Sequence, residues 1–428
     1  METAPKAIRP HLVLAGRTNV GKSTFLNWVV GQDVAITSPL PGTTTDVVEK
    51  SMELAPIGPV VFLDTGGLDD ESALGAARMA RTRQALDRAD VCLLLTEPGV
   101  WTPVEEAVWQ DARRRQVPVI VIVNKIDLRP CAETWLTELS QKTPYLFPLS
   151  SRDQSQREAR RTEFRQLLAQ ALQASGSGHL PLIGDLVPSG GLIVLVVPID
   201  LQAPQGRLIL PQVQTIRDAI DNDAAVVIVK EREYATLLRR LREPPNLVVC
   251  DSQVVLKVVA DTPTNVPCTT FSILFARWKG DLVAAAEGAA ALDSLQPGDR
   301  VLIGEACSHH ALADDIGRVK IPRWLRQYAG ADLAVDVVAG RDYPANLASY
   351  KLVVHCGACM LTRREMLVRI AQCREAGVPI TNYGLAISLV QGVLRRVLSP
   401  FPSAWEAFDR AHAEMHPAPR ATYPEKTP

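Results

Sequence analysis

Residues 16–23 read Gly16-Arg17-Thr18-Asn19-Val20-Gly21-Lys22-Ser23, a match to G-x-x-x-x-G-K-S/T. The stretch follows the apolar run Leu12 to Ala15 and precedes the helical stretch Thr24 to Val30. A chain that places this pattern between a strand and a helix commits to a phosphate-binding turn on a parallel sheet. Its glycines let backbone N–H groups wrap the phosphates, and the helix N-terminus adds positive charge there. Asn19, Val20, Gly21 and Thr24 line that turn. Lys22 is placed to hold the outer phosphates, and Ser23 to hold Mg2+.

Further apolar runs continue the pattern. Val60 to Leu63, Val91 to Leu95 and Val117 to Val123 read as strands that are nearly apolar throughout, as a sheet covered on both faces by helices requires. Asp64-Thr65-Gly66-Gly67 follows the second strand. A carboxylate there reaches Mg2+ through water, and the Gly67 N–H is placed for the terminal phosphate. Asn124-Lys125-Ile126-Asp127 ends the strand at 123. The Asp127 carboxylate accepts hydrogen bonds from guanine N1–H and its exocyclic amine, a donor pair that adenine lacks. Leu149-Ser150-Ser151 resembles a last guanine-contacting loop, with Ser150 and Ser151 as candidates. Four short boxes in this order point to GTP/GDP.

Composition limits the partners. The 428 residues carry a formal net charge of −1, and 22% are charged and 47% hydrophobic. That balance exerts no pull on nucleic acid or an anionic membrane surface. The basic pairs Arg239–Arg240, Arg363–Arg364 and Arg395–Arg396 read as solvated helix faces. The start Met1-Glu2-Thr3-Ala4-Pro5 lacks a signal-peptide pattern, and Leu192 to Ile199 is too short to span a bilayer. A cytoplasmic protein is expected, and its 8 cysteines are then read as thiols, not a disulfide framework. Cys92 falls inside a core strand and reads as packing.

Beyond a closing helix, Thr162 to Ala174, the run Ser175-Gly176-Ser177-Gly178 opens a linker rich in Gly and Pro. The chain divides into residues 1–175, a linker at 176–190, a second domain at 191–265, a third at 266–400 and an extension at 401–428. The second domain has strands at Leu192 to Val197, Ala225 to Val229 and Leu247 to Val249, with helices at Pro211 to Asp221 and Glu231 to Leu241. The third opens with helix signals at Thr269 to Trp278. It repeats strand, loop and helix, with strands at Val301 to Gly304, Ala334 to Val338, Leu352 to Val354 and Val378 to Ile380. The fold class is α/β throughout.

The third domain carries Cys307-Ser308-His309 and, later, His355-Cys356-Gly357-Ala358-Cys359, each just after an apolar strand. Ligand sites in open parallel sheets form at the carboxyl ends of strands, so the two motifs are candidates to meet. A helix beginning near Thr362 directs N–H groups at an anionic centre. Spacing alone leaves two metals open. Zinc takes four closed ligands, for example three Cys and one His. An iron–sulfur cluster takes three thiolates and leaves one iron for an exchangeable ligand. The fourth-ligand candidates are His309, His355, a carboxylate or solvent.

Two resemblances sharpen this reading. Pro41-Gly42-Thr43-Thr44-Thr45-Asp46 resembles the switch region of TrmE–Era-type GTPases, which implies that Thr44, with Thr43 as the alternative, senses Mg2+ and the terminal phosphate. Leu68 stands where Ras-like enzymes place a water-orienting Gln. Relatives without that Gln bind K+ through an Asn in the position of Asn19. The resemblance thus implies slow, potassium-stimulated hydrolysis, with Lys22, Thr44, Asp64 and Gly67 as the catalytic set.

The whole chain resembles the FeFe-hydrogenase maturation GTPases, the HydF family. The resemblance rests on the nucleotide boxes with Cys-x-His and a distant His-Cys-x-x-Cys, and on stretches such as Gly206 to Gln212, Thr270 to Leu274 and Asp315 to Trp324. It implies a P-loop GTPase domain, a dimerisation domain at 191–265 and a cluster-binding domain at 266–400. It also implies that Cys307, Cys356 and Cys359 hold a 4Fe–4S cluster, and that the chain is a homodimer. Its implied role is a scaffold that receives a transient di-iron subcluster precursor from the radical-SAM maturases HydE and HydG and delivers it to apo FeFe-hydrogenase. The alternative from another class is an RNA- or ribosome-associated GTPase with a structural zinc domain, against which the near-neutral charge argues.

Overall fold

The structure is a computed structural model that describes residues 6–30, 48–66, 73–153, 156–176, 181–199, 208–306, 315–340, 343–344 and 346–415. The chain forms two compact units, Met1–His179 and Leu180–Pro428.

The first unit is built on a six-stranded sheet. Its strands are β1 (His11–Ala15), β2 (Val48–Leu54), β3 (Gly58–Asp64), β4 (Val91–Thr96), β5 (Val119–Val123) and β6 (Leu146–Pro148), in the order β2-β3-β1-β4-β5-β6. All neighbours are parallel except β2, which runs antiparallel to β3. β1, β4 and β5 are buried along their whole length because each face of the sheet has its own core. Leu12, Leu14, Leu93, Leu95, Ile120 and Ile122 pack on one side. Val13, Ala15, Cys92, Leu94, Val121 and Val123 pack on the other. Each such Val, Leu or Ile contributes about 1.5–3 kcal/mol of burial. Cys92 is one of these core residues, and burial pushes its thiol up to about 12. The edge strand β2 has no apolar run. Its sequence Val-Glu-Lys-Ser-Met-Glu-Leu leaves most positions partly exposed, so a search for apolar runs passes over it.

The second unit holds two four-stranded parallel sheets. One contains β7 (Leu192–Val196), β8 (Ala225–Val229), β9 (Leu247–Cys250) and β10 (Cys268–Thr270), in the order β10-β9-β7-β8. The other contains β11 (Arg300–Glu305), β12 (Ala334–Ala339), β13 (Leu352–His355) and β14 (Ile380–Asn382), in the order β12-β11-β13-β14. A single hydrophobic core joins them. Ile193 and Val249 of the first sheet share it with Ile303 and Val354 of the second, and with Leu274, Ala286 and Leu385 of the helices between.

Two local differences from the sequence reading have clear causes. The helix expected from Thr269 starts at Phe271, because Thr269 and Thr270 pair with β9 and the Thr270 hydroxyl caps the helix by accepting the Ile273 N–H at 3.2 Å. The basic pairs are not all solvated. Arg239 and Arg240 are exposed. Arg363 instead donates to the carbonyls of Arg277, Trp278 and Gly280, and Arg396 donates to those of Pro263 and Val266.

Candidate functional site

In the first unit, the candidate nucleotide residues gather at the carboxyl ends of the parallel strands. The register sets this: Leu14 lies opposite Asp64, Ala15 opposite Leu94, Thr96 opposite Val123, and Val123 opposite Pro148. The loop after β1 turns directly into the helix Lys22–Val30, with Ser23 and Thr24 exposed at its N-terminus. Asn19 has φ 61 and Gly21 φ 98, the left-handed turn that wraps the loop. The Lys22 ammonium lies across the loop, donating to Gly16 O at 2.8 Å and Arg17 O at 2.7 Å. An aromatic cluster seats the helix. Phe25 meets Phe164 edge-on at 5.3 Å, Trp28 lies 6.1 Å from Phe147, and Arg161 donates to Trp28 O at 2.6 Å.

Asn124 ties three of the boxes together. It is 2% exposed. Its amide donates to Val20 O at 2.9 Å, and its carbonyl accepts the Ser151 hydroxyl at 2.8 Å and the Ser151 N–H at 3.2 Å. Only glycine fits at position 21, since a Cβ there would sit 2.3 Å from Asn124 Nδ2. The side chain of Lys125 pairs with Glu97 at 2.6 Å, and Asp127 is exposed, its carboxylate open to a base. Asp64 accepts the Gly66 N–H at 3.3 Å, and Thr65 donates to Leu14 O at 3.1 Å through its hydroxyl. Thr44 and Gly67 lie outside the described residues. The sequence reading missed a support for the loop. Arg17 pairs at 2.9 Å with Glu105, which is fully buried and also serves the capping box of helix Pro103–Arg114. The spacing Thr102-x-x-Glu105 carries the capping signal, but nothing in it points to Arg17.

In the second unit, β11 and β13 are neighbours, and Gly304 lies opposite His355. A Cβ at Gly304 would come within 2.8 Å of the His355 ring, so this strand position must be glycine. Past the strand ends, Cys356 N–H donates to Gly304 O at 2.8 Å. In return the Cys356 sulfur accepts the Ala306 N–H at 3.1 Å and the Ala358 N–H at 3.5 Å. Ala306, the last described residue before Cys307, is thus held against Cys356 at the carboxyl ends of β11 and β13. Cys359 is half-buried three residues on. Thr362 then caps the helix Arg363–Glu375 in a reciprocal box with Glu365. Cys307 and His309 lie outside the described residues, and among the described residues no three His, Cys, Asp or Glu side chains form a metal-binding group. A sulfur that already accepts two backbone N–H groups suits a metal-bound thiolate.

His355 plays another part. It is fully buried, its Nδ1 donates to Cys356 O at 2.9 Å, and its Nε2 accepts from Arg369 at 2.8 Å. Arg369 can only donate and a carbonyl can only accept, so the tautomer follows and no ring lone pair remains for a metal. Burial and the Arg369 charge lower its pKa to about 3. Sequence reasoning also missed the carboxylate at this edge. Glu305 is buried and bound by both Arg318 Nε at 3.2 Å and Arg318 NH2 at 2.9 Å.

The six-stranded sheet with its phosphate loop, Asn-Lys-x-Asp box and strand-end aspartate defines a P-loop GTPase, which hydrolyses GTP. Residues 11–125 match a sequence profile described as a 50S ribosome-binding GTPase. Residues 182–280 match the hydrogen maturase F dimerization domain, and residues 283–400 the hydrogen maturase F tetramerization domain. The chain belongs to the hydrogen maturase F family. Within the GTPase part it is similar to the tRNA modification GTPase MnmE of Synechococcus sp. (strain JA-2-3B'a(2-13)), at 43% identity over 124 residues, 28% of this chain and 26% of that one. MnmE of Syntrophobacter fumaroxidans is 42% identical over 124 residues, 29% of this chain and 26% of that one. The chain thus spans about a quarter of the length of the curated relatives it matches. Among solved structures, Era from Aquifex aeolicus aligns at a TM-score of 0.31 and 19% identity, over 77% of this chain and 94% of that one. The family assignment rests on the sequence profiles and not on that likeness. Dimerization and tetramerization domains make the protein an oligomer, and no helix among the described residues is long and apolar enough to cross a membrane.

Proposed function

We propose that this protein is a GTP-regulated scaffold that carries a 4Fe–4S cluster and hands a di-iron precursor to apo FeFe-hydrogenase. The observation that carries the reading is the Ala306 N–H to Cys356 sulfur hydrogen bond, which draws the chain leading to Cys307 up to the Cys-x-x-Cys motif. Cys307, Cys356 and Cys359 would hold the cluster, with His309, a carboxylate or solvent at the fourth iron. An iron without a protein thiolate supplies an open coordination position. HydE and HydG are the proposed source of the precursor. The two imidazole nitrogens of His355 are engaged elsewhere, which argues against it as the fourth ligand.

On the nucleotide side, Lys22 holds the outer phosphates, Ser23 and Asp64 hold Mg2+, and Asp127 reads guanine between the loops of Lys125 and Ser151. Thr44 and Gly67 would order around the terminal phosphate. Asn19 would bind K+ and compensate for the missing glutamine. GTP state then changes the order of the switch segments and so the contacts made with partners.

The test is an anaerobic iron and acid-labile sulfide analysis of the full chain, with electron paramagnetic resonance of the reduced sample. About four irons and four sulfides per chain with a 4Fe–4S signal are expected. A colourless protein holding zinc would overturn the reading in favour of a structural zinc domain.

A further inference from the structure

Arg369 lies on the buried face of the helix Arg363–Glu375 and is 5% exposed. Its guanidinium donates to His355 Nε2 at 2.8 Å and to Gly340 O at 2.6 Å, and sits 4.7 Å from the centre of the Tyr343 ring. Among the described residues no carboxylate is within ion-pair distance of it. Comparable arginines elsewhere in the chain differ. Arg88 meets Glu49 at 2.7 Å, and Arg161 meets Glu158 at 2.5 Å. Arg363, on the same helix, faces three carbonyls at the negative end of the helix Phe271–Lys279.

A buried guanidinium cannot shed its proton, and an anion close by would offset the part of its desolvation that the His355 and Gly340 hydrogen bonds leave. The groups around it narrow the choice. Glu365, one turn earlier, has its carboxylate on the Thr362 N–H at 2.8 Å. The Tyr343 hydroxyl and the Cys373 thiol, 3.4 Å from each other, are both held in their neutral forms by burial. Among the described residues the remaining group is Cys356, whose charge acts on the Arg369 guanidinium. It follows His355 in the chain, and its sulfur already accepts two backbone N–H groups.

We propose that Arg369 is the buried counter-charge of an anionic metal–thiolate centre at Cys356 and Cys359. It is a positioning residue, not a ligand, and it holds His355 in its Nδ1–H form. The inference rests on the iron–sulfur reading above. A fixed positive charge beside the centre favours the state with one more electron, and so raises its reduction potential. Reduction adds one electron and moves no proton on Arg369.

The test uses the full chain reconstituted anaerobically with ferrous iron and sulfide, as the unmodified protein, Arg369→Gln and Arg369→Lys. Gln keeps hydrogen-bonding capacity without charge, and Lys keeps charge. Iron and sulfide content is measured first. A redox titration followed by electron paramagnetic resonance comes second. At a fixed potential the ratio of reduced to oxidised centre is expected to fall about tenfold in Arg369→Gln, equivalent to about 59 mV for one electron. Arg369→Lys should recover most of that change. The midpoint of urea unfolding is measured with and without metal as a readout independent of the potential, and the gain on loading should be smaller in Arg369→Gln than in Arg369→Lys. Unchanged potential and unchanged gain in Arg369→Gln, or equal losses in Gln and Lys, overturn the proposal. An Arg369→Gln chain that folds without metal but no longer retains it, while Arg369→Lys does, supports it. Unmodified protein that binds no iron and sulfide sinks the iron–sulfur reading itself, and that outcome is read before any variant is compared.

Discussion

Ala306 and Cys356, 50 residues apart in the chain, are joined by a 3.1 Å hydrogen bond from a backbone N–H to a sulfur. The pairing of β11 with β13 makes that contact, because it brings the ends of the two strands side by side. Cys356→Ala removes the thiol that accepts the Ala306 N–H. Reconstituted Cys356→Ala is expected to lose most of its iron, sulfide and visible absorbance. His355→Gln should keep its iron and an unchanged reduced-state spectrum, since the imidazole is committed to Cys356 O and Arg369. An altered spectrum in His355→Gln would return that residue to the ligand set.

Asp127→Ala should cost guanine specificity. In the proposed role the exposed carboxylate would accept two hydrogen bonds, each worth about 1.5–3 kcal/mol when the acceptor is charged. Competition binding should give at least a hundredfold loss of GTP affinity, with little change for ATP. Equal affinities of the unmodified chain for GTP and ATP would refute the assignment.

Hydrolysis should be slow and faster in K+ than in Na+ at equal ionic strength. Asn19→Ala should erase the difference between the salts while leaving GDP binding within a few-fold. Phosphate release measured in both salts decides it, and identical rates in the unmodified protein would count against a cation at Asn19.

Gly304→Ala should destabilise the second unit. The added methyl would meet the His355 ring at 2.8 Å, in a strand buried on both faces. Overpacking of this kind costs about 1–3 kcal/mol. A lower urea midpoint is expected for this transition. A midpoint equal to the parent's would mean the ring has room to move.

Glu106 should contribute to acid sensitivity. Hydrogen bonds from Trp101 at 2.8 Å and Lys142 at 2.9 Å pull its pKa down to about 2. A carboxyl depressed in the folded state stabilises above its unfolded pKa, and that contribution is lost as pH falls from about 4.5 towards 2. Glu106→Gln should therefore flatten the dependence of the urea midpoint on pH within that window. The same slope in both proteins would remove Glu106 from the account.

The order of the nucleotide boxes, their seats on strand ends and the α/β class were legible in the sequence. Local patterns determine them: apolar runs of strand length, a glycine-rich turn and a lysine–serine pair at a helix start. β2 was not legible, because an edge strand exposed on one side keeps polar residues such as Glu49 and Lys50. The displaced helix start at Phe271 was hidden as well, since Thr270 serves at once as a strand residue paired with β9 and as a helix cap.

The rest depended on residues distant in sequence. Arg17 and Glu105 pair across 88 positions, and Asn124 reaches Val20 across 104. Arg369 reads in sequence like any arginine on a polar helix, and only the packing of that helix on β13 makes it a buried charge beside His355. The sequence by itself determined which chemistry the chain carries: a phosphate loop, a separate Asn-Lys-x-Asp box for the base, and a set of thiols. Tertiary structure decided that both ring nitrogens of His355 are engaged and that Arg369 is buried with no carboxylate in ion-pair distance among the described residues, because both depend on burial and on hydrogen-bond partners supplied by other strands and helices.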